Sequence, residues 1–444
     1  MRTVSGQSRA ESLARPIADH REVRRVYEWA EIVEIDDAEL LIIVTRVSSA
    51  LSPTTHLRSA AVESGHFAFG GAVHGHGRAP PENDILSRPR ASLLCLRAHP
   101  AWSRPMEQQD DARVSTAYLR FAEDEVRDRS PLYDELSRGV ASDPEVIRFL
   151  LTLPREKRQP NLFLSAVRYL FGTPEGWDQF RSCVLREKDA LRAAMLARST
   201  QTNEPGRCAA LLPVLAGLPE PLALLEVGAS AGLCLLPDLY AYDYGGPILE
   251  PRTERLKPLA FPCAVNAATP VPARPPRVIW RAGLDLKPVD LSNPPEVAWL
   301  EALVWPEQTD RLARLRAAIK IAVQQKPRLV KGDLRTDLAA LAQEAPKNAT
   351  LVIFHTAVLT YISAATEREE FAQSVGLLSD FWIANEPPRV FPNIAEQVGR
   401  EGPKGSFLLS VNGVPVAWTD PHGASVDWMG ATPPGQIAVY GARR

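Results

Sequence analysis

The sequence predicts an α/β protein in which an all-helical domain precedes a doubly wound, mostly parallel sheet that finishes in an antiparallel hairpin. Three observations predict it. Ser115 to Leu218 repeats apolar residues at spacings of three and four, the period of amphipathic helices. Leu222 to Leu236 (LALLEVGASAGLCLL) reads as a buried strand, a tight small-residue turn and a helix start. Thr350 to Phe354 is a second buried strand, and Asn412 and Gly413 form a turn between two apolar runs near the carboxyl end.

The 444 residues are enough for two or three domains. A hydrophobic share of 45% and a charged share of 23% are those of a soluble globular chain, and a net charge of −2 gives no basic field for nucleic acid or an anionic membrane. No apolar run reaches the roughly 20 residues that span a bilayer, and the amino terminus has no apolar signal core, so the expected location is the cytoplasm. Cys95, Cys183, Cys208, Cys234 and Cys263 are scattered and never form C-x-x-C, which predicts free thiols and no zinc ribbon.

The expected division is a leader over 1–110, a helical domain over 111–220 and a sheet domain over 221–444. The leader holds six of the eight histidines and no lysine. Val26 to Val47 fits either a helix or a strand pair, and Ser64 to Arg90 is rich in breakers and reads as poorly ordered. His66, His74 and His76 lack partners at ligand spacing, so no metal site is expected. One reading of this leader is that translation begins at Met106.

In the helical part, Ser130 with Pro131 and Asp143 with Pro144 are cap and first-turn pairs. Pro160 opens another helix, and Trp177 to Ser199 reads as one long amphipathic helix. The polar run containing Thr202, Asn203, Glu204 and Arg207 either caps the next helix or covers a ligand mouth and supplies hydrogen bonds to substrate.

The turn after Leu222–Val227 carries the chemistry. Against the dinucleotide pattern G-x-G-x-x-G it matches once in three; against the looser methyltransferase pattern it supplies Glu226, Gly228, Ser230 and Gly232, missing only the middle glycine. The expected ligand is therefore S-adenosylmethionine, whose ammonium a carboxylate at Glu226 can hold. Glycine at 228 permits the turn, and glycine at 232 permits close approach of a ligand. A turn that merely packs tightly is the ordinary alternative.

Tyr240 to Pro276 is broken by proline and reads as a hairpin insertion near 240–277. The next strand ends at Asp285, which suits two ribose hydroxyls, with Asp290 as fallback. Trp305 and Glu307 either wall a substrate site or start the following helix. Asp333 ends a short strand and either accepts from the adenine amino group or caps a helix. The strand at Thr350 delivers His355 to the sheet's carboxyl edge, where it is a candidate base with Tyr361 nearby. His422, in the turn Asp420 to Gly423, either faces the same crevice or serves the turn.

The succession RQPNLFLSAVRYL, TQTNEPGRCAALLP, LLEVGASAGL, YAYDYG, WLEALVWPEQTDR and DPHG resembles a bacterial, mainly actinobacterial, domain-of-unknown-function family, number 2332, over about Ala117 to Trp428. That family is similar in its core to class I methyltransferases, which implies a Rossmann-like sheet. The chain departs from the family pattern at Cys234, where asparagine is expected, and in its leader. The expected function is methyl transfer to a small molecule, with no nucleic-acid or membrane partner. The alternative is a non-catalytic nucleotide or cofactor binder, a sensor or scaffold, on the same fold.

Overall fold

The computed structural model describes residues 27–36, 39–47, 92–97, 100–201, 203–252, 259–430 and 436, with side chains from Asp110 onward. Thr202, His66, His74, His76 and the stretch 64–90 lie outside the described residues. The chain divides into two compact units, Met1–Arg113 and Val114–Arg444.

In the first unit the segment that fitted helix or strand pair is a strand pair. β1 (Tyr27–Asp36) pairs antiparallel with β2 (Glu39–Val47), and β2 with β3 (Ser92–Arg97). Helix α1 covers Pro100–Arg120.

The second unit continues with α2 (Pro131–Ser142), α3 (Pro144–Leu151), α4 (Pro160–Phe171), α5 (Trp177–Arg186), α6 (Lys188–Ala197) and α7 (Arg207–Leu215). Both expected caps form: the Ser130 hydroxyl accepts from the Tyr133 amide at 3.2 Å, and Asp143 Oδ1 accepts from Glu145 and Val146 at 2.8 and 3.0 Å. The long helix expected over Trp177–Ser199 is instead two, broken at Glu187, which leaves helical geometry at φ −115°. Phe180, Val184, Leu191 and Met195 keep one apolar face across the break, and periodicity does not register a one-residue interruption. These helices share a core built on Tyr118, Phe163 and Phe180.

The remaining elements build a nine-stranded mixed sheet. Its strands are β4 (Leu222–Val227), β7 (Ala264–Val265), β8 (Val278–Asp285), β9 (Arg328–Lys331), β10 (Thr350–Thr356), β11 (Phe381–Glu386), β12 (Phe407–Val411), β13 (Val414–Thr419) and β14 (Ser425–Trp428). The order is β7-β14-β13-β12-β11-β10-β4-β8-β9. The run β9-β8-β4-β10-β11 is wholly parallel, and β11 to β14 form an antiparallel meander, one strand longer than the expected hairpin. Asn412 and Gly413 both take positive φ, +49° and +75°, as a two-residue turn between β12 and β13 requires.

Helices α8 (Pro294–Ala302), α9 (Thr309–Gln325), α10 (Leu338–Gln343), α11 (Ala365–Leu378) and α12 (Pro392–Ala395) cover the sheet. α7 and α9 pack on the face of Leu222, Leu224, Val352 and Phe354; α10, α11 and α12 pack on the face of Ala223, Leu225, Leu351 and Ile353. Connections from β4 through β8 to β9 therefore use one face, and those from β9 through β10 to β11 the other. The reversal falls between β4 and β10, and in open α/β sheets ligands bind outside the carboxyl ends of the strands at such a point.

The expected hairpin insertion is corrected. β5 (Ala241–Asp243) and β6 (Ala260–Pro262) pair in parallel, with an antiparallel bridge only between Tyr242 and Leu249. A parallel pair needs a long return connection, which the intervening residues supply.

Candidate functional site

The turn between β4 and the next element takes positive φ at every second residue: Gly228 at +70°, Ser230 at +48° and Gly232 at +69°. It does not open an α-helix. Leu233–Leu235 is a single 3-10 turn, because Pro237 disfavours helical geometry at Leu236 and carries no amide proton to continue a ladder. The helix start expected after this turn is thus absent.

The glycines make room for the protein's own side chains. A Cβ on Gly228 would lie 2.4 Å from Val358 Cγ2, and one on Gly232 would lie 2.9 Å from Leu329 Cδ2. Close approach at Gly232 is therefore by strand β9, which corrects the expectation of a ligand there. Every amide from 228 to 232 is also engaged. Gly228 and Ala229 donate to the Leu284 carbonyl, Ser230 to Asp285 Oδ2 at 2.8 Å, Ala231 to Asn203 Oδ1 at 2.9 Å, and Gly232 to the Ala229 carbonyl. No amide is left to cradle a pyrophosphate.

Asn203 also donates from Nδ2 to the Ser230 hydroxyl at 2.9 Å, so the polar run before α7 locks the glycine turn from above. Asp285, at the end of β8, holds it from the side, its other oxygen taking the Lys287 amide at 2.7 Å. The fallback, Asp290, spends Oδ1 on the amide and hydroxyl of Ser292.

Glu226 is 4% exposed, and its Oε2 is buried without a hydrogen-bond partner. In register with Phe354, it points to the α7 and α9 face, below the turn. Burial pushes its carboxyl well above the usual carboxylate range, and Cys234 and Asp285 push the same way against Arg207. Below the unfolded value both folded and unfolded forms are protonated; as pH rises past it only the unfolded form ionises, so stability falls with pH. Glu226→Gln is therefore expected to be more stable than the parent at pH 7, by about 1–3 kcal/mol, and equal to it near pH 4 in denaturant titrations. Equal stabilities at both pH values would contradict the assignment.

Several candidates are committed to structure. Arg207, 6% exposed, donates to the Pro421 carbonyl at 2.9 Å and to the carbonyl and hydroxyl of Thr356 at 3.1 and 3.0 Å, tying the last turn to the end of β10. Glu204 accepts from the Gly206 amide and pairs with Arg311. His422 is exposed in a turn whose Gly423 lies against the Gly206 carbonyl. Glu307 accepts from the Ser130 hydroxyl at 2.6 Å and the Leu132 amide at 2.9 Å, closing the start of α2, and Trp305 donates to Asn161 at 3.1 Å within the helical core. Asp333 is held by Arg335, whose side-chain hydrogen bonds and charge bring its carboxyl to about 2.

His355 lies on the opposite sheet face from Glu226, wholly buried against Phe371, Trp382 and Phe391. Its Nε2 accepts the Trp382 indole N–H at 3.0 Å, so Nδ1 carries the proton and donates to Glu386 Oε1 at 2.7 Å. With both nitrogens engaged, the ring has none facing the crevice, which corrects its placement as a base. Tyr361 is 77% exposed in a short 3-10 turn, Leu359–Tyr361, and the structure does not bring its ring to that imidazole.

Sequence reasoning passed over the end of β11. Asn385 is fully buried with Nδ2 unpartnered, and Glu386 is 2% exposed with Oε2 unpartnered. Their signal was available: an apolar run, FWIANE, that ends in two polar residues before Pro387 and Pro388.

Residues 115–428 match a family described as "Uncharacterized protein conserved in bacteria (DUF2332)". The chain belongs to this family. No curated protein and no solved structure matches it. The match begins within α1 and ends with β14, so the family spans the helical elements and the whole nine-stranded sheet. Among the described residues no helix is long and apolar enough to cross a membrane, and no cluster of three or more His, Cys, Asp or Glu could hold a metal ion.

Proposed function

We propose that this family member binds S-adenosylmethionine at the crevice between β4 and β10 and transfers its methyl group to a small molecule. The observation that carries the reading is Glu226, a buried carboxylate beside the glycine turn whose Oε2 has no partner. A buried polar atom is costly unless paired, and the ammonium of the cofactor's methionine end would pair it. The strand order β9-β8-β4-β10-β11 supports a Rossmann-like sheet, and it sets Asp285 at the end of the strand beside β4, where ribose hydroxyls would use its remaining lone pairs. Asp333, one strand further and held in place by Arg335, would accept from adenine through the lone pairs those bonds leave. The engaged amides of the turn favour a phosphate-free cofactor over a dinucleotide.

The cofactor would supply an electrophilic methyl on a sulfonium. The chain would supply binding at Glu226, Asp285 and Asp333 and a rigid turn braced by Asn203. Transfer by in-line displacement needs positioning above all. A second reading, a non-catalytic cofactor binder, is favoured by one observation: both nitrogens of His355 are engaged within the fold.

Calorimetric titration of the full chain tests the binding. S-adenosylmethionine and S-adenosylhomocysteine should bind and NAD should not. Because burial holds the Glu226 proton in the free protein, pairing with an ammonium should release it, and the apparent enthalpy should change with buffer ionisation enthalpy. NAD binding, or no binding by either adenosyl compound, would overturn the reading.

A further inference from the structure

Two thiols meet beside the glycine turn. Cys208 stands in the first turn of α7, Cys234 in the 3-10 turn that follows Gly232, and both are buried. We propose that Cys208 and Cys234 are a reversible dithiol and disulfide pair, oxidised by a hydroperoxide, whose closed form locks α7 to the glycine turn.

The contacts are reciprocal. The Cys208 thiol donates to the Cys234 carbonyl at 3.6 Å, and the Cys234 thiol donates to the Glu204 carbonyl at 3.5 Å, one helical turn before Cys208. The two thiols also hydrogen-bond to each other. Each sulfur thus lies against the other's segment, although the two cysteines are 26 residues apart. Among the described residues, Cys183 and Cys263 interact instead with Arg186 and with the Ala264 carbonyl.

The two sulfurs are not alike. The Cys208 thiol and the charge of Arg207 hold Cys234 below the usual thiol range against its burial, whereas burial pushes Cys208 well above it. Cys234 is 6% exposed and Cys208 not at all. The thiolate is the nucleophile of sulfur chemistry, so Cys234 reacts first. Its sulfur attacks one peroxide oxygen, the O–O bond breaks, and the departing hydroxide takes the Cys234 proton and leaves as water. The sulfenic acid that remains is attacked by the Cys208 sulfur. The S–S bond forms, the S–O bond breaks, and the hydroxyl leaves as water with the Cys208 proton. The two thiols are oxidised and the peroxide is reduced.

The bridge closes a loop that contains all of β4, Glu226 and the glycine turn. It also fixes the start of α7, and with it the preceding Asn203, which holds Ser230 and Ala231. A cross-link over this length removes chain entropy from the unfolded state. None of this depends on which ligand the crevice takes.

The test uses the full chain, reduced, freed of reductant and treated with excess hydrogen peroxide under native conditions. After the peroxide is removed, remaining thiols are alkylated in denaturant and the chain is cut with a glutamate-specific protease, which separates the two cysteines at Glu226. A linked pair of peptides, one holding Cys208 and the other Cys234, should appear and should be lost on treatment with dithiothreitol. Cys208→Ser should stop at a sulfenic acid on Cys234, trapped by dimedone, and Cys234→Ser should leave Cys208 a free thiol. Where a variant does not fold, the linked pair in the parent decides alone. The urea midpoint of the oxidised parent should exceed that of the reduced by about 1 M and should return on reduction. The proposal is overturned if both cysteines remain alkylated after peroxide, if they link only in denatured protein or to a different cysteine, or if the linked protein unfolds at no higher urea than the reduced.

Discussion

Replacing His355 by leucine is expected to lower the unfolding free energy by about 3–5 kcal/mol, whether or not any ligand is present. The ring is fully buried between two partners, and both lose by its removal. The Trp382 indole N–H, bonded at 3.0 Å, is left with no acceptor, and Glu386 Oε1 loses the charge-assisted donor at 2.7 Å. Leucine restores apolar contact with Phe371 and Phe391 but neither hydrogen bond. Denaturant titration of the parent and variant checks the value. A variant as stable as the parent that had lost all turnover would make the imidazole a catalytic group and contradict its place in the fold.

Gly228→Ala is the second large effect, about 2–6 kcal/mol, from two causes that can be separated. At φ +70° a side chain strains the backbone, by about 1–3 kcal/mol. The new Cβ would also fall 2.4 and 2.8 Å from the two methyl carbons of Val358, and overpacking of that kind costs about 1–3 kcal/mol more. Val358 has little freedom to yield, because its amide is fixed on Glu386. Combining Gly228→Ala with Val358→Ala removes the methyl carbons and should recover the collision but not the strain, a coupling of about 1 kcal/mol or more. Additive losses would mean that the turn gives way elsewhere.

These two sites show where reading the sequence succeeds and where it stops. Strands β4 and β10 were legible because each is a short apolar run ending in a polar residue, and the caps at Ser130 and Asp143 because a cap is local chemistry. The positive φ at Gly228 was legible for the same reason. What fills the space beside each glycine was not, since Leu329 and Val358 arrive from strand and loop about a hundred residues further on. Glu307 looked equally suited to a substrate wall or to a helix start, and the partner that decides it, Ser130, lies 177 residues away. His355 was placed correctly at a strand end, but strand alternation put it on the face away from Glu226, and its partners Trp382 and Glu386 stand on the neighbouring strand.

One comparison tests whether Glu226 holds the positive end of a ligand. Unfolding free energies of the parent and Glu226→Gln are measured at pH 7 with and without S-adenosylhomocysteine, which carries the same ammonium. A ligand that binds only the folded state stabilises it by about 2.7 kcal/mol at a hundredfold excess over its dissociation constant. At one fixed ligand concentration the parent should gain stability of this order and Glu226→Gln, though more stable alone, should gain little. Equal gains in both proteins, or none in the parent, would contradict it.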